Sequence, residues 1–276
     1  MIYYEGSKDE DIEIDLFVLG IEKKYSYDFS QYSHASRKRR IVAAVNKFRC
    51  ESIMNLLQRA LNSEEFFHEM LAVLTVPVTE MFRDPEFYRQ LRALIVPYLH
   101  TYPSIKIWNA GCATGEEAYS IAILLAEEGL LGKSTIFATD ISKEALARAK
   151  DGIYMNDRMR LYSDNYHLAD GIGTFSDYYL SQYGASVMRP ELRDKINFCE
   201  HNLVSDEVFS EFHLVLCRNV LIYFQKNLQE RVLGLFQESL IWQGFLCLGS
   251  KESIKYASCS DAFKALSESN RIYQKC

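Results

Sequence analysis

Two glycines and two carboxylates crowd one short stretch of the chain, Asn109-Ala-Gly-Cys-Ala-Thr-Gly-Glu-Glu117. Before it runs Ile105 to Ala110, apolar and partly β-branched. After it Ala118, Ile121, Ala122 and Leu125 fall at helical spacing, so the whole reads as strand, tight turn, helix. Such a turn lets the backbone approach a ligand closely at the carboxyl end of a strand, where open parallel sheets bind cofactors. Only Gly111 and Gly115 lie in the turn, so neither G-x-G-x-x-G nor the phosphate-cradling G-x-x-x-x-G-K-S/T is present. Glu116 and Glu117 open the helix; they suit its positive terminus but would repel a pyrophosphate lying there. A cationic, phosphate-free ligand is the better match, and S-adenosylmethionine, a sulfonium with an amino-acid tail, has that chemistry. The two glutamates alone would serve equally well as a dipole-complementing helix start.

Further polar residues stand at the ends of apolar runs. Ser134 to Asp140 reads as a second strand ending in an acid, and a carboxylate at that position can accept two hydrogen bonds from a ribose diol. Glu211 to Cys217 reads as a buried strand, which sets Arg218 and Asn219 at its carboxyl end, with Tyr223 about a helical turn beyond. Thr79-Glu-Met-Phe-Arg-Asp-Pro85 follows Pro77 and has the composition of a linker, in which Thr79 could cap the next helix. A linker carrying Arg83 into the crevice and a plain interdomain linker would look alike.

The elements that must position these residues follow from the rest of the chain. Residues 1 to 75 carry apolar positions at spacings of three and four, from Leu16 and Leu19 to Met70 and Leu74, and are expected to form a small helical domain. Residues 76 to 276 are expected to form a doubly wound α/β domain. Within it, Gly- and Tyr-rich sequence from about 174 to 201 suggests an inserted antiparallel sheet of three strands, the last at Lys195 to Glu200. In the helical part, Arg37-Lys-Arg-Arg40 is either a solvated helix face or a docking surface for an acidic protein helix.

Composition narrows the classes. Lys+Arg 31 against Asp+Glu 37 gives a net charge of −6, which argues against nucleic acid as the main partner. Seven scattered cysteines without a C-x-x-C pair suggest reduced thiols and no metal cage. No signal peptide or bilayer-length apolar run is evident, so a cytoplasmic protein without membrane insertion is expected.

Taken in order, Ser36-Arg-Lys-Arg-Arg-Ile41, Thr79-Glu-Met-Phe-Arg-Asp84, Asn109 to Ser120, Ala138-Thr-Asp140, Asn202-Leu203 and Cys217-Arg-Asn-Val-Leu-Ile-Tyr-Phe224 closely resemble the CheR-type chemotaxis receptor methyltransferases. The resemblance spans nearly the whole chain and implies a Rossmann-like class I methyltransferase sheet. It implies transfer of a methyl group from S-adenosylmethionine to glutamate side chains of chemoreceptors, leaving S-adenosylhomocysteine. On it, Thr79 and Arg83 would touch the cofactor, Gly111 would shape its loop and Glu117 would reach its amino-acid portion. Asp140 would hold the ribose, Asn202 and Leu203 would border the adenine, and Arg218 and Asn219 would line the cleft floor. Arg83 and Tyr223 would flank the transferring methyl. Arg37, Lys38, Arg39 and Arg40 would dock the acidic methylation region of a receptor, and a monomer is expected. Pro77 stands where the family often has Asn. The short connection Gln182-Tyr-Gly-Ala185 speaks against tethering to a receptor's C-terminal peptide through the inserted sheet. Two alternatives stay open: methylation of another protein carboxylate, and a non-catalytic module that binds the cofactor or docks a receptor.

Overall fold

A computed structural model describes residues 8–75 and 79–276, so Pro77 lies outside the described residues. The chain divides into two compact units, one of residues 1–77 with 223–229 and one of residues 78–222 with 230–276.

The first unit contains α1 (Lys8–Tyr25), α2 (His34–Lys47), α3 (Ile53–Asn62) and α4 (Glu64–Leu74). Ser52 and Ser63 start the third and fourth helices by accepting the N–H of Asn55 and Phe66, each at 3.1 Å. A cap of this kind is worth about 1 kcal/mol. Ile14, Phe17, Ile21, Ile41, Ile53, Leu56, Phe67 and Met70 are buried and make the core. Leu16 and Leu19 are not part of it: they share with Ile12 the opposite face of α1 and are about half exposed. The segment after residue 222 joins this unit through Ser33 N–H to the Tyr223 carbonyl (2.9 Å) and Gln225 N–H to the Gln31 carbonyl (2.7 Å).

The second unit opens with α5 (Pro85–Leu94) and α6 (Val96–His100) and continues β1 (Ile105–Ala110), α7 (Glu116–Glu127), β2 (Ser134–Asp140), α8 (Lys143–Asp151), β3 (Ile153–Met155) and α9 (Asn156–Leu168). Then come β4 (Tyr179–Gln182), β5 (Ala185–Met188), α10 (Pro190–Arg193), β6 (Ile196–Glu200), β7 (Phe212–Cys217), α11 (Lys226–Ser239, of which residues 230–239 belong to this unit), β8 (Leu240–Leu248), β9 (Phe263–Ser267) and β10 (Ile272–Lys275). Seven strands form one sheet in the order β6-β2-β1-β7-β8-β10-β9, parallel except where β10 runs antiparallel to both neighbours. Trp108 and Ile107 on β1 and Leu214, Val215 and Leu216 on β7 are fully buried, as the central strands of a sheet covered on both faces require. Strand order reverses between β1 and β7, which makes their carboxyl ends the topological switch point.

The inserted sheet is real, but its membership differs from the expected one. Its order is β3-β5-β4, whereas β6 joins the edge of the main sheet, parallel to β2 from Ile136↔Ile196 to Asp140↔Glu200. Three residues between two helices, Ile153 to Met155, are too few to show a period-two pattern, and pairing with β5 alone makes them a strand. The β4–β5 hairpin turns on Tyr183 and Gly184, with φ of 52° and 81°, the left-handed pair of a two-residue turn.

Candidate active site

The turn after β1 is built as its glycines require. Gly111 has φ +73° and Gly115 +92°, and a Cβ on Gly111 would come 2.5 Å from Val220 Cγ2. Asp140, at the end of β2, braces this turn from the side: its carboxylate accepts the N–H of Ala113 and of Ser142, each at 2.9 Å. Burial pushes the Asp140 carboxyl above its usual range while the backbone N–H groups pull it down. The side chain is still partly exposed, so it can also meet a ligand. Glu116 faces inward: Thr114 Oγ1 donates to it at 2.6 Å and Tyr162 OH at 3.3 Å, and burial raises its carboxyl as well. Glu117 points to the sheet, where Asn109 Nδ2 donates to one of its oxygens at 2.8 Å and Arg218 Nη1 to the other at 2.8 Å.

Arg218 ties three segments together. Its guanidinium donates to Glu117, to Asp84 Oδ2 (2.8 Å) and, at a long 3.4 Å, to the Arg83 carbonyl, and it stacks 4.0 Å from the Phe87 ring. Burial works against its charge, yet Glu117, Tyr88 and Asp84 outweigh that and hold its pKa above the ordinary value. On the linker, Phe82 (φ 52°) and Asp84 (φ 58°) are both left-handed, which costs non-glycine residues about 1–3 kcal/mol each. Ser120 Oγ accepts the Phe82 N–H at 2.9 Å, so Arg83 is clamped by its backbone on both sides. Among the described residues, the half-buried Arg83 guanidinium forms no ion pair.

The remaining expected residues are placed as follows. Thr79 does not cap a helix, because α5 begins only at Pro85, behind the left-handed Asp84. Asn202 spends its side chain on its own loop, accepting the Val204 N–H at 3.0 Å, and Leu203 is buried. Asn219 is left-handed (φ 62°) and its N–H donates to Glu252 at 3.0 Å. In the helical unit, Arg40 is the correction to the docking set: it is 5 % exposed, donates to the Leu74 carbonyl at 2.7 Å and lies 4.4 Å over the Tyr223 ring. Burial lowers its pKa against the opposing pull of Tyr223. Lys38 is paired with Glu10 (2.5 Å) and Arg37 with Asp15 (3.5 Å), which leaves Arg39 as the exposed cation of the run.

Asp84, Asn109 and Glu252 were not singled out in the sequence. Asn109 carries a signal, a polar residue inside an apolar strand; Asp84 carries one only for its backbone, which Pro85 restricts to extended or turn geometry; Glu252 carries none. Asn109 Oδ1 is buried without a hydrogen-bond partner beside the Glu117 carboxylate. That orphaned acceptor and the neighbouring acid suit an ammonium group. The carboxylate of Asp140 suits a diol, so the donor set fits a cationic amino-acid nucleoside. Cys112 and Cys217, at the same strand ends, have thiols pushed well up by burial and stay protonated.

A doubly wound sheet with this acidic, phosphate-averse crevice defines a Rossmann-like methyltransferase that binds S-adenosylmethionine. The model of the "CheR methyltransferase, SAM binding domain" family matches residues 77–272, and the chain belongs to that family. It is 52% identical to the Cher3 protein of Pseudomonas putida over 98% of this chain and 99% of that one. It is 31% identical to chemotaxis protein methyltransferase 1 of Vibrio cholerae, over 82% of each chain. With the chemotaxis protein methyltransferase of Listeria innocua it shares 27% identity over 88% of this chain and 92% of the other. Among the described residues no helix is long and apolar enough to cross a membrane.

Proposed function

We propose that the chain is a cytoplasmic protein-glutamate O-methyltransferase that esterifies glutamate side chains of chemoreceptors in chemotaxis adaptation. The observation that carries the reading is the clamped Arg83, whose guanidinium, free of ion pairs among the described residues, stands on a segment fixed to Arg218 and Ser120. Support also comes from the relatives named chemotaxis protein methyltransferases.

Bound S-adenosylmethionine supplies an electrophilic methyl on a sulfonium sulfur. Glu117 and Asn109 would hold its amino-acid end, Asp140 its ribose, and Asn202 and Leu203 its adenine; Thr79 would add a contact from the linker, and Gly111, Arg218 and Asn219 would shape the floor. A free glutamate has a pKa of about 4.3, so the acceptor is already a carboxylate near neutral pH and no general base is needed. The residues therefore act by alignment, which can supply about 7–11 kcal/mol in favourable cases. Arg83 would orient the acceptor carboxylate without binding it so firmly that it ceases to be nucleophilic. Tyr223 would shape the approach to the methyl. Arg39, with the partly paired Arg37 and Lys38, would meet the acidic receptor helices, whereas buried Arg40 would hold α2 in place.

The test is incubation of the chain with methyl-labelled cofactor and a receptor cytoplasmic fragment. Base-labile methyl esters on glutamates are expected. Label on another residue type, or cofactor binding without transfer, would remove the reading.

A further inference from the structure

Glu252 is 4 % exposed and lies beyond β8, far along the chain from every motif described above. Its carboxylate is spent entirely on main chain. One oxygen accepts the N–H of Asn219 (3.0 Å) and Gly249 (2.6 Å); the other accepts the Val220 N–H (2.8 Å), with Ile222 N–H at a long 3.4 Å. Among the described residues it has no cationic partner, so these N–H groups are what offsets the cost of burying the charge. The approach is close because Gly249 lacks a side chain: a Cβ there would stand 2.7 Å from both Asn219 N and Glu252 Oε2.

We propose that Glu252 is a positioning residue for cofactor binding, holding the turn after β7 so that Arg218 and Asn219 keep their place at the switch point. The logic is one of acceptor count. A carboxylate offers two oxygens to three short N–H bonds, whereas a glutamine amide of the same shape offers one and would turn donors toward donors. Arg218 is the first residue of the held turn, and together with Asn109 it holds Glu117 in place. Slack at Glu252 is therefore read out at Glu117, through Arg218. This inference rests on the methyltransferase assignment and not on the identity of the acceptor.

The test uses the full chain and S-adenosylhomocysteine as the probe, with binding measured calorimetrically. Glu252→Gln is expected to weaken product binding roughly tenfold, the scale of one lost charged hydrogen bond, and to raise the KM for S-adenosylmethionine more than it lowers kcat. Glu252→Gln combined with Glu117→Gln is expected to lose little more than the worse single variant, because both act on one chain of contacts. Ile272→Ala, a buried change on β10, serves as a control for general loss of stability. Should Glu252→Gln not fold, Gly249→Ala disturbs the same junction from the other side and should reproduce the binding loss. Parental affinity in the variants, full additivity with Glu117→Gln, or an equal affinity loss in Ile272→Ala would each overturn the proposal.

Discussion

The two strand exits at the switch point are held in the same way by different means. After β1, the turn is made by Gly111 and Gly115 and braced by Asp140 through the Ala113 N–H. After β7, the turn contains no glycine, takes its sharp corner at left-handed Asn219, and is braced by Glu252 through the N–H groups of Asn219 and Val220. The difference lies in what each carboxylate has left over. Asp140 is partly exposed and retains acceptor capacity for a ligand, whereas Glu252 is sealed and wholly structural toward its turn. One brace keeps a face open to a ligand; the other is spent on its neighbours.

The largest effect should come from the cation that joins the two exits. Arg218→Ala leaves Glu117 buried without its ion pair, and breaking such a pair typically costs about 3–5 kcal/mol. A melting temperature close to that of the parent would show that the pair contributes little. Next is Asp140→Ala, which strips the N–H groups of Ala113 and Ser142 of their acceptor. Product affinity should fall by about ten- to a hundredfold, the scale of one or two charged hydrogen bonds, and calorimetry reads it directly.

Arg83→Ala weighs alignment against binding: turnover on a receptor fragment should drop about tenfold or more, a larger loss than the one in product affinity. Unchanged turnover would remove Arg83 from the mechanism. Arg39→Glu should lower methylation of an acidic receptor fragment several-fold at low salt, with the gap closing as salt is raised. Cofactor affinity should be unaffected.

The smallest effect concerns pH. Burial raises the Glu116 carboxyl, so its contribution to stability is present below the ordinary carboxyl range and is lost as pH rises through its folded value. Glu116→Gln should therefore melt at a slightly higher temperature than the parent near neutral pH. The advantage should fade toward about pH 4, where the parent's own carboxyl is protonated. A constant difference across that range would show that Glu116 does not titrate between the two states.

Much of the backbone around the candidate site was legible because its residues need particular local geometry. A strand that breaks at two glycines, or a second strand that ends in an acid, advertises its backbone in its composition. The inserted sheet was legible as an interruption but not in its strand pairing, since Ile153 to Met155 becomes a strand only by lying beside β5. Arg37 to Arg40 was legible as a basic run but not in its facing. On a helix, four consecutive residues point in four directions, and one of them enters the core.

By itself the sequence determined the strand-turn-helix units of the main sheet, the chemical character of the crevice and the family, because each is written in residue types at short spacing. Tertiary structure alone decided which acid answers which cation and which acid braces which turn. Asp84, Glu117 and Arg218 meet across long separations, as do Glu252 and the exit of β7, and contacts of that kind are set by how the sheet is stacked and leave no trace in local spacing.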